Sequence, residues 1–511
     1  MAAPLRLALG ALVWLAVGII YLPLLPAGYG LLTPALSPAA WRSLFDESQL
    51  PQALLASVVS STVALAGALA ITLCIIAAVW PSRRWQRLAR RLPLMLAFPH
   101  LAFASAALLL FAEGGWLYAC FPGLTAPVDA FGIGLGVTLA LKESVFLLWV
   151  AYALLAEGGL HARCLALQSL GYGRWQCLLW VVLPVLLPQM GVALLATLAW
   201  TLSTVDVAIA IGPGNPPTLA VLAWQWLSRG DVAAQEKGAL ACVLLLLVMT
   251  AMALAGRLLW RLFRALTPDF RGARRPARPR TTGRLLAGLL PLSSLLAALA
   301  LGLSARGELP AADSLLNSLG LGLLSALIAL PLCLLWLAFG PRRFGGWIWL
   351  PLLLPALPLA AGQYRLALLG WLDGQWLTVL WGHLLWVLPW TLFILRPAWQ
   401  QLDPRLLLTG RTLGWSPARC FWRITLPQLF RPLLGALAVA FSVSVAQYLP
   451  TQWLGGGRIP TLTTDAVALS SSGDLPQLAM QAFWQLLLPL IVFALTALMM
   501  YLTGRRRQGL R

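Results

Sequence analysis

Along the chain, apolar stretches of about twenty positions alternate with short polar or arginine-bearing breaks. A helix needs about 20 consecutive apolar residues to cross the hydrocarbon core of a bilayer. The pattern predicts twelve such spans. In the first half they are 8–29, 53–80, 92–112, 131–156, 181–211 and 239–262; in the second, 285–305, 314–340, 348–371, 377–396, 424–450 and 477–503. The stretches at 181–211 and 424–450 exceed one perpendicular crossing, so tilting or partial interfacial lying is expected there. Twelve crossings put both termini on one side. The first stretch is longer than a signal-peptide core and is read as an uncleaved span.

Composition agrees with this pattern. Of 511 residues, 60% are hydrophobic and only 10% charged, against about a quarter charged in soluble domains. The expected fold is an all-α polytopic membrane protein of about twelve transmembrane helices. Arginine placement sets its orientation, since basic residues collect in cytoplasmic loops. With cytoplasmic termini, 28 of the 34 arginines fall inside, including Arg83, Arg84, Arg87, Arg90 and Arg91, the pair Arg342 and Arg343, and nine between 257 and 284. Only Arg42, Arg229, Arg306 and Arg458 fall outside, and Arg365 and Arg431 lie in or near spans. The net charge of +20 is therefore a positive-inside bias with attraction to anionic membrane lipids, not a nucleic-acid surface.

The pattern repeats. "LGYGRWQCLLWVVLP" runs from Leu170 to Pro184 and "LGWSPARCFWRITLP" from Leu413 to Pro427, with five of fifteen positions identical and every pair 243 positions apart. "LPLMLAFP" at 92–99 echoes "LPLLLPALP" at 350–358, and "STVDV" before "IGPGNPPTL" is aligned with "SVAQY" before "LGGGRIPTL". The halves, 1–264 and 285–511, read as two parallel six-helix repeats joined by the Arg/Pro-rich stretch 265–284, a cytoplasmic linker.

Each copy of the motif lies between the fourth and fifth spans of its half, on the cytoplasmic side. Leu-Gly-aromatic reads as helix, turn, helix, the glycine allowing a turn that a side chain would obstruct. The closing Leu183-Pro184 and Leu426-Pro427 sit where the next span begins, and proline is tolerated in a first helical turn. A short cytoplasmic helix is expected across the base of the bundle, presenting Arg174 and Trp175 in one copy and Arg419 in the other, near Trp415 and Arg411. Such a helix could simply anchor the bundle at the interface. Two copies at equivalent positions favour two docking points for a two-lobed partner.

These residues resemble the pattern E-A-A-x-x-x-G-x(9)-I-x-L-P of the permeases of binding-protein-dependent ABC importers. Leu408-Thr409-Gly410 fills the E-A-A place, followed by Gly414 and Ile424-Thr425-Leu426-Pro427. In the first half, Leu165-Ala166-Leu167 is followed by Gly171 and Val181-Val182-Leu183-Pro184. The glutamate is absent from both copies. The chain looks most like the fused double permeases known for ferric iron and thiamine uptake. The resemblance implies a type I importer-like fold in a bacterial inner membrane. It also implies that the motif helices couple to a cytoplasmic ABC ATPase, expected as a homodimer, and that an external solute-binding protein delivers a small solute.

The chain carries no P-loop. Its two lysines, Lys142 and Lys237, do not follow G-x-x-x-x-G-K-[ST]. ATP and Mg would be used by the partner, with no cofactor in this chain. The seven cysteines show no metal-ligand spacing. Of the sixteen acids, only Glu143 and Asp206 fall within predicted spans, where ionisable groups usually face protein or water. Candidate pathway residues are Asp206 with Gln447 taken as its counterpart, Lys142 with His383 nearly matching it, and Tyr448; interhelical hydrogen bonding is the alternative role for these groups. A twelve-helix secondary transporter is the other function the pattern allows. A membrane transferase would need an acidic or histidine cluster at one face, which the scattered acids do not form.

Overall fold

A computed structural model describes residues 3–112, 115–120, 128–156, 159–267, 281–340 and 345–508. Positions 268–280 of the expected linker, and Arg342 and Arg343, lie outside the described residues. Among the described residues, ten helices are long and apolar enough to cross a bilayer, or up to twelve if two bent pairs each count as one span. Apart from two short helices at Pro38–Phe45 and Trp116–Cys120, the first half runs α1 (Ala3–Tyr21), α2 (Leu24–Ala35), α3 (Leu50–Val79), α4 (Arg83–Leu96), α5 (His100–Phe111), α6 (Ile133–Ala156), α7 (Leu160–Ser169), α8 (Arg174–Gln189), α9 (Gly191–Ser203), α10 (Asp206–Ile211), α11 (Leu219–Leu227) and α12 (Val232–Leu266). The second runs α13 (Thr281–Ser304), α14 (Ala312–Phe339), α15 (Gly345–Leu353), α16 (Ala356–Leu369), α17 (Trp376–Gln400), α18 (Pro404–Thr412), α19 (Pro417–Val445), α20 (Leu449–Gly455), α21 (Leu462–Ser470) and α22 (Leu475–Gln508).

Several expected spans are broken, and prolines mark the breaks. The stretch 92–112 is two helices: Pro99 drives Phe98 out of helical geometry and starts α5. Before it, α4 is amphipathic, burying Trp85, Leu88, Leu92 and Met95 at helical spacing and exposing its five arginines. The related stretch 348–371 bends by 108° between α15 and α16, at Leu354-Pro355. The stretch 181–211 bends by 60° between α8 and α9, with Pro188 and Gly191 beside the bend, and its helix ends at Ser203. Its counterpart α19 runs unbroken from Pro417 to Val445. The first span, expected to end at 29, continues to Ala35, and α12 is 35 residues, or about 50 Å at 1.5 Å per residue. That outreaches the hydrocarbon, and Arg257, Arg261 and Arg264 are exposed on its far end.

Lipid tails give helices no hydrophobic reason to associate, so close backbone packing must do it. Helix α3 presents Ala53, Ser57, Ser60, Ala64 and Ala68, all buried, and packs against α6. The contact is tight enough that a Cβ on Gly136 would lie 2.7 Å from the Ser60 carbonyl oxygen. In the second half, α14 buries Ser314, Ser318, Gly322 and Ser325, and Phe441 fills the space over Gly322. Ser57 Oγ accepts the Leu219 N–H at 2.8 Å, and Ser318 Oγ accepts the Leu462 N–H at 3.0 Å. Both bonds satisfy an orphan amide in the first turn of a helix.

Each half lends its first helix to the other. Helix α1 packs on α14 and α17, with Val13, Val17 and Ile20 in a cluster with Ala329, Leu385 and Leu388. Helix α13 packs on α3 and α5, where Leu301 and Ala297 meet Phe103 and Ala106. Cross-half hydrogen bonds reinforce the exchange, from Tyr21 Oη to the Ile348 carbonyl at 2.6 Å and from Trp381 Nε1 to the Ile19 carbonyl at 3.1 Å.

Cys120 is exposed, whereas Cys164, Cys177, Cys242, Cys333 and Cys420 are buried. With the termini cytoplasmic, Cys120 falls in an external loop. A membrane-impermeant maleimide is expected to label wild-type chain in intact spheroplasts and to leave Cys120→Ser unlabelled. Labelling of wild type only after lysis would reverse the orientation.

Candidate functional site

The two motif copies fold alike. In the first, Gly171 adopts φ 88° and closes α7: its N–H donates to the Gln168 carbonyl at 2.9 Å and the Tyr172 N–H to the Leu167 carbonyl at 3.1 Å. In the second, Gly414 has φ 77°, with Gly414 N–H on the Arg411 carbonyl at 3.0 Å and Trp415 N–H on the Gly410 carbonyl at 3.0 Å. Both are Schellman caps, in which a left-handed glycine lets the last carbonyls of a helix be satisfied. The glycine is required by its backbone rather than by a close neighbour, since nothing stands within 4 Å of a Cβ built on Gly414.

The short separate helix therefore precedes the glycine, as α7 and α18. The segments bearing Arg174 and Arg419 were expected to form it, but they are the first turns of the long helices α8 and α19. The reason lies in Pro184 and Pro427. Each lacks an amide hydrogen, and the ladder slips to i→i−5: Leu183 N–H donates to the Leu178 carbonyl, and Leu426 N–H to the Phe421 carbonyl. A π-turn at 178–182 and at 421–425 carries the helix past the proline without a break.

The two turns differ in anchoring. Arg174 Nη1 donates to the Ala78 carbonyl at 3.1 Å, tying the first turn to α3. In the second, Ser416 caps α19 by accepting the Arg419 N–H at 3.2 Å, and Arg423 lies over the Trp415 ring at 5.7 Å. Arg411 and Arg419 are exposed, as are Leu165, Leu170, Leu408 and Leu413. Burial pushes the Cys164 thiol up to about 11, so it is not a reactive thiolate near neutrality.

A cavity of about 230 Å³ lies between the halves. The first half lines it with the end of α4, the 97–99 break, His100, Lys142, Glu143, Thr197, Trp200 and residues 203–206; the second with the α15–α16 bend, Trp386, Trp390, Ser442 and residues 446–450. Lys142 Nζ donates to the carbonyls of Met95 at 2.9 Å and Leu96 at 3.4 Å, placing an ammonium on the C-terminal end of α4. Glu143 Oε1 stands 2.8 Å from His100 Nε2, and the His100 ring packs at 5.0 Å from that of Trp200. Thr204 Oγ1 donates to Asp206 Oδ1 at 3.1 Å, and Gln447 Nε2 to the His383 carbonyl at 3.1 Å.

Four of the five candidate pathway residues, Asp206, Gln447, Lys142 and Tyr448, thus share one cavity. His383 does not line it. Its ring is buried, with Nδ1 2.8 Å from Ser444 Oγ and Nε2 2.9 Å from Thr451 Oγ1. The pairing of Asp206 with Gln447 is also corrected. Helices α10 and α20 begin at Asp206 and Leu449, and α11 and α21 at Leu219 and Leu462, so the 243-position register of the motif continues unbroken. Asp206 corresponds to Leu449 and Thr204 to Gln447; aligning "STVDV" with "SVAQY" slips the register by two. Sequence reasoning did not single out Thr197, Trp200, Trp386 and Trp390, which lie in tryptophan-rich spans where nothing in the pattern marks the inward-facing rings. The signal available was the register itself, for Glu143 and Trp386 are 243 positions apart, as are Trp200 and Val443, and all four line the cavity.

A duplicated helical bundle enclosing a cavity between its halves, with a matched turn under each half, defines a membrane permease. The chain belongs to the family of binding-protein-dependent transport system inner membrane components, whose sequence profile matches residues 298–508. The inner membrane ABC transporter permease protein YnjC of Escherichia coli (strain K12) is 57% identical over 511 residues, covering 100% of both chains. Two spermidine/putrescine transport system permease protein PotC homologs are similar over 171 residues, 31% of this chain: that of Mycoplasma genitalium at 29% identity over 60% of its length, and that of Mycoplasma pneumoniae at 28% over 59%. No solved structure matches the chain. The protein is a multi-pass inner-membrane ABC transporter permease.

The His383 bonds tie α17 to both α19 and α20. His383→Ala is expected to lower the thermal unfolding midpoint in detergent, by a stability loss of about 1–2 kcal/mol for the bonds removed. An unchanged midpoint would show that the imidazole does not hold these helices together.

Proposed function

We propose that this chain supplies both permease halves of an ABC importer. A small solute arrives from an external binding protein and crosses through the cavity between the halves. A separate cytoplasmic ATPase, present as a pair, docks on the turns at Gly171 and Gly414. Mg-ATP is bound and hydrolysed by that partner alone, and both termini of the permease are cytoplasmic. The observation that carries this reading is the duplicated Schellman-capped turn with exposed leucines beside it. Apolar side chains held at the end of a membrane helix by a specific backbone geometry fit a protein partner better than water. A twelve-helix secondary transporter would leave both turns without a task.

The helices supply the mechanical link. Helix α19 runs from its turn to Val445, two residues before Gln447, as one lever. Helices α8 and α9 make the matching path to Asp206 with a 60° joint at Met190. Closing of an ATPase pair would draw the two turns together and swing the cavity walls apart on the external side. Hydrolysis would restore the opposite opening.

Gly171→Asp and Gly414→Asp each place a side chain at a positive φ, straining the cap that presents the docking surface. Each variant is expected to insert normally and to lower ATPase co-purification at least tenfold. Gly414→Asp should act more strongly, because its turn lacks the Arg174 tie to α3 and drives the unjointed lever. Normal co-purification and normal ATP-driven uptake by both variants would refute the docking assignment.

A further inference from the structure

The cavity is built from matched positions of a repeat, yet its two walls are chemically unlike. At the shared register, Glu143 in the first half faces the cavity where Trp386 does in the second. Asp206 is matched by Leu449, Ser203 by Ala446 and Thr204 by Gln447. Every carboxylate of the lining belongs to the first half; aromatic rings come from both, Trp149 and Trp200 from the first and Trp386, Trp390 and Tyr448 from the second. We propose that this cavity binds one organic monocation, its charged nitrogen toward Asp206 and its apolar body among Trp386, Trp390 and Tyr448. The inference deepens the permease reading by assigning its cavity a class of solute.

The charge count follows from the bonds already made. Lys142 is held by two carbonyls at the end of α4, and Glu143 is bonded to His100. Asp206 accepts from the Thr204 hydroxyl and from backbone amides at the start of α10, lies near the His100 ring already bonded to Glu143, and forms no ion pair of its own among the described residues. One carboxylate is left for one positive charge. Three further polar atoms of lining residues, Thr197 Oγ1, Trp200 Nε1 and Gln447 Oε1, are buried without a partner among the described residues. Thr197 is only 1% exposed. Buried polar atoms are rarely left unpaired in a folded protein, and a ligand with a donor and an acceptor would satisfy them. A bare metal ion fits poorly. No group of three or more His, Cys, Asp or Glu side chains is placed to hold one among the described residues, and tryptophan faces attract an organic cation instead.

The test uses the full chain in nanodiscs of phosphatidylglycerol, so that no lipid amine competes. Tryptophan fluorescence and calorimetry follow titration with benzyltrimethylammonium, with neutral N-benzylacetamide and with benzenesulfonate. The ammonium is expected to saturate and to bind at least tenfold tighter than the other two. Asp206→Asn should remove that preference while eluting as wild type in size exclusion. Trp386→Leu should weaken the ammonium severalfold. Absence of saturable ammonium binding, equal or tighter binding of the amide or the sulfonate, or an unchanged preference in a folded Asp206→Asn overturns the proposal. If Asp206→Asn does not fold, the wild-type ranking of the three probes decides. No ATPase is present in this assay, so its failure is separable from failure of the docking reading.

Discussion

Hydrocarbon offers a backbone N–H or C=O no partner, so a chain can leave helical geometry at membrane depth only where protein or a cavity covers the break. This constraint organises the whole molecule. The breaks at 97–99, 204–205, 354–355 and 446–448 all border the 230 Å³ cavity between the halves. Side chains from neighbouring elements complete them. Lys142 covers two carbonyls at the end of α4. Ser203 Oγ accepts the first amide of α16, that of Ala356, at 3.1 Å across the interface between halves. The cavity and the helix breaks are thus one feature: the breaks are tolerated because the cavity is there, and they place its few polar groups in an otherwise apolar lining.

The exchange of first helices ties the two walls of that cavity together. Were α1 and α13 packed within their own halves, the halves could separate at modest cost, since lipid replaces apolar contacts readily. Instead α1 lies against α14 and α17, and α13 lies against α3 and α5 as well as against α22 of its own half. Each half thus carries a helix that packs on its partner.

Much of this was legible in the sequence, for stated reasons. Hydrophobic length reports directly on membrane spans, so up to twelve crossings and the all-helical class could be read. The turn glycines could be read because a left-handed C-cap admits little else. The proline breaks were only half legible. Pro99 and Pro355 end helices, whereas Pro184 and Pro427 do not, because a π-turn absorbs them; the pattern holds nothing to separate the cases. His383 and Lys142 looked alike as polar groups in apolar spans. Which way each points depends on helix rotation, which a polar letter in an apolar run does not report. The slip of two between Asp206 and Gln447 arose from aligning polar letters, whereas helix starts at Asp206 and Leu449 obey the register of the motif.

That register exposes a division within the repeat. At the turns the halves agree in geometry: glycines at φ 88° and 77°, the same pair of capping bonds, and the same π-turn before the proline. At the cavity they disagree in chemistry, carboxylate against leucine and carboxylate against tryptophan. Under the proposed function the two ends face different kinds of partner. An ATPase pair with two equal lobes asks for two equal surfaces, so divergence there would waste half of the stroke. A single solute on the axis between the halves has no twofold symmetry to match. Two identical acidic walls would set two carboxylates against each other across a narrow space, where like charges of low exposure repel strongly. Placing both carboxylates on one wall avoids that repulsion and would give the proposed solute a defined orientation. Fusion into one chain makes this possible, because each half always meets the other and never a copy of itself.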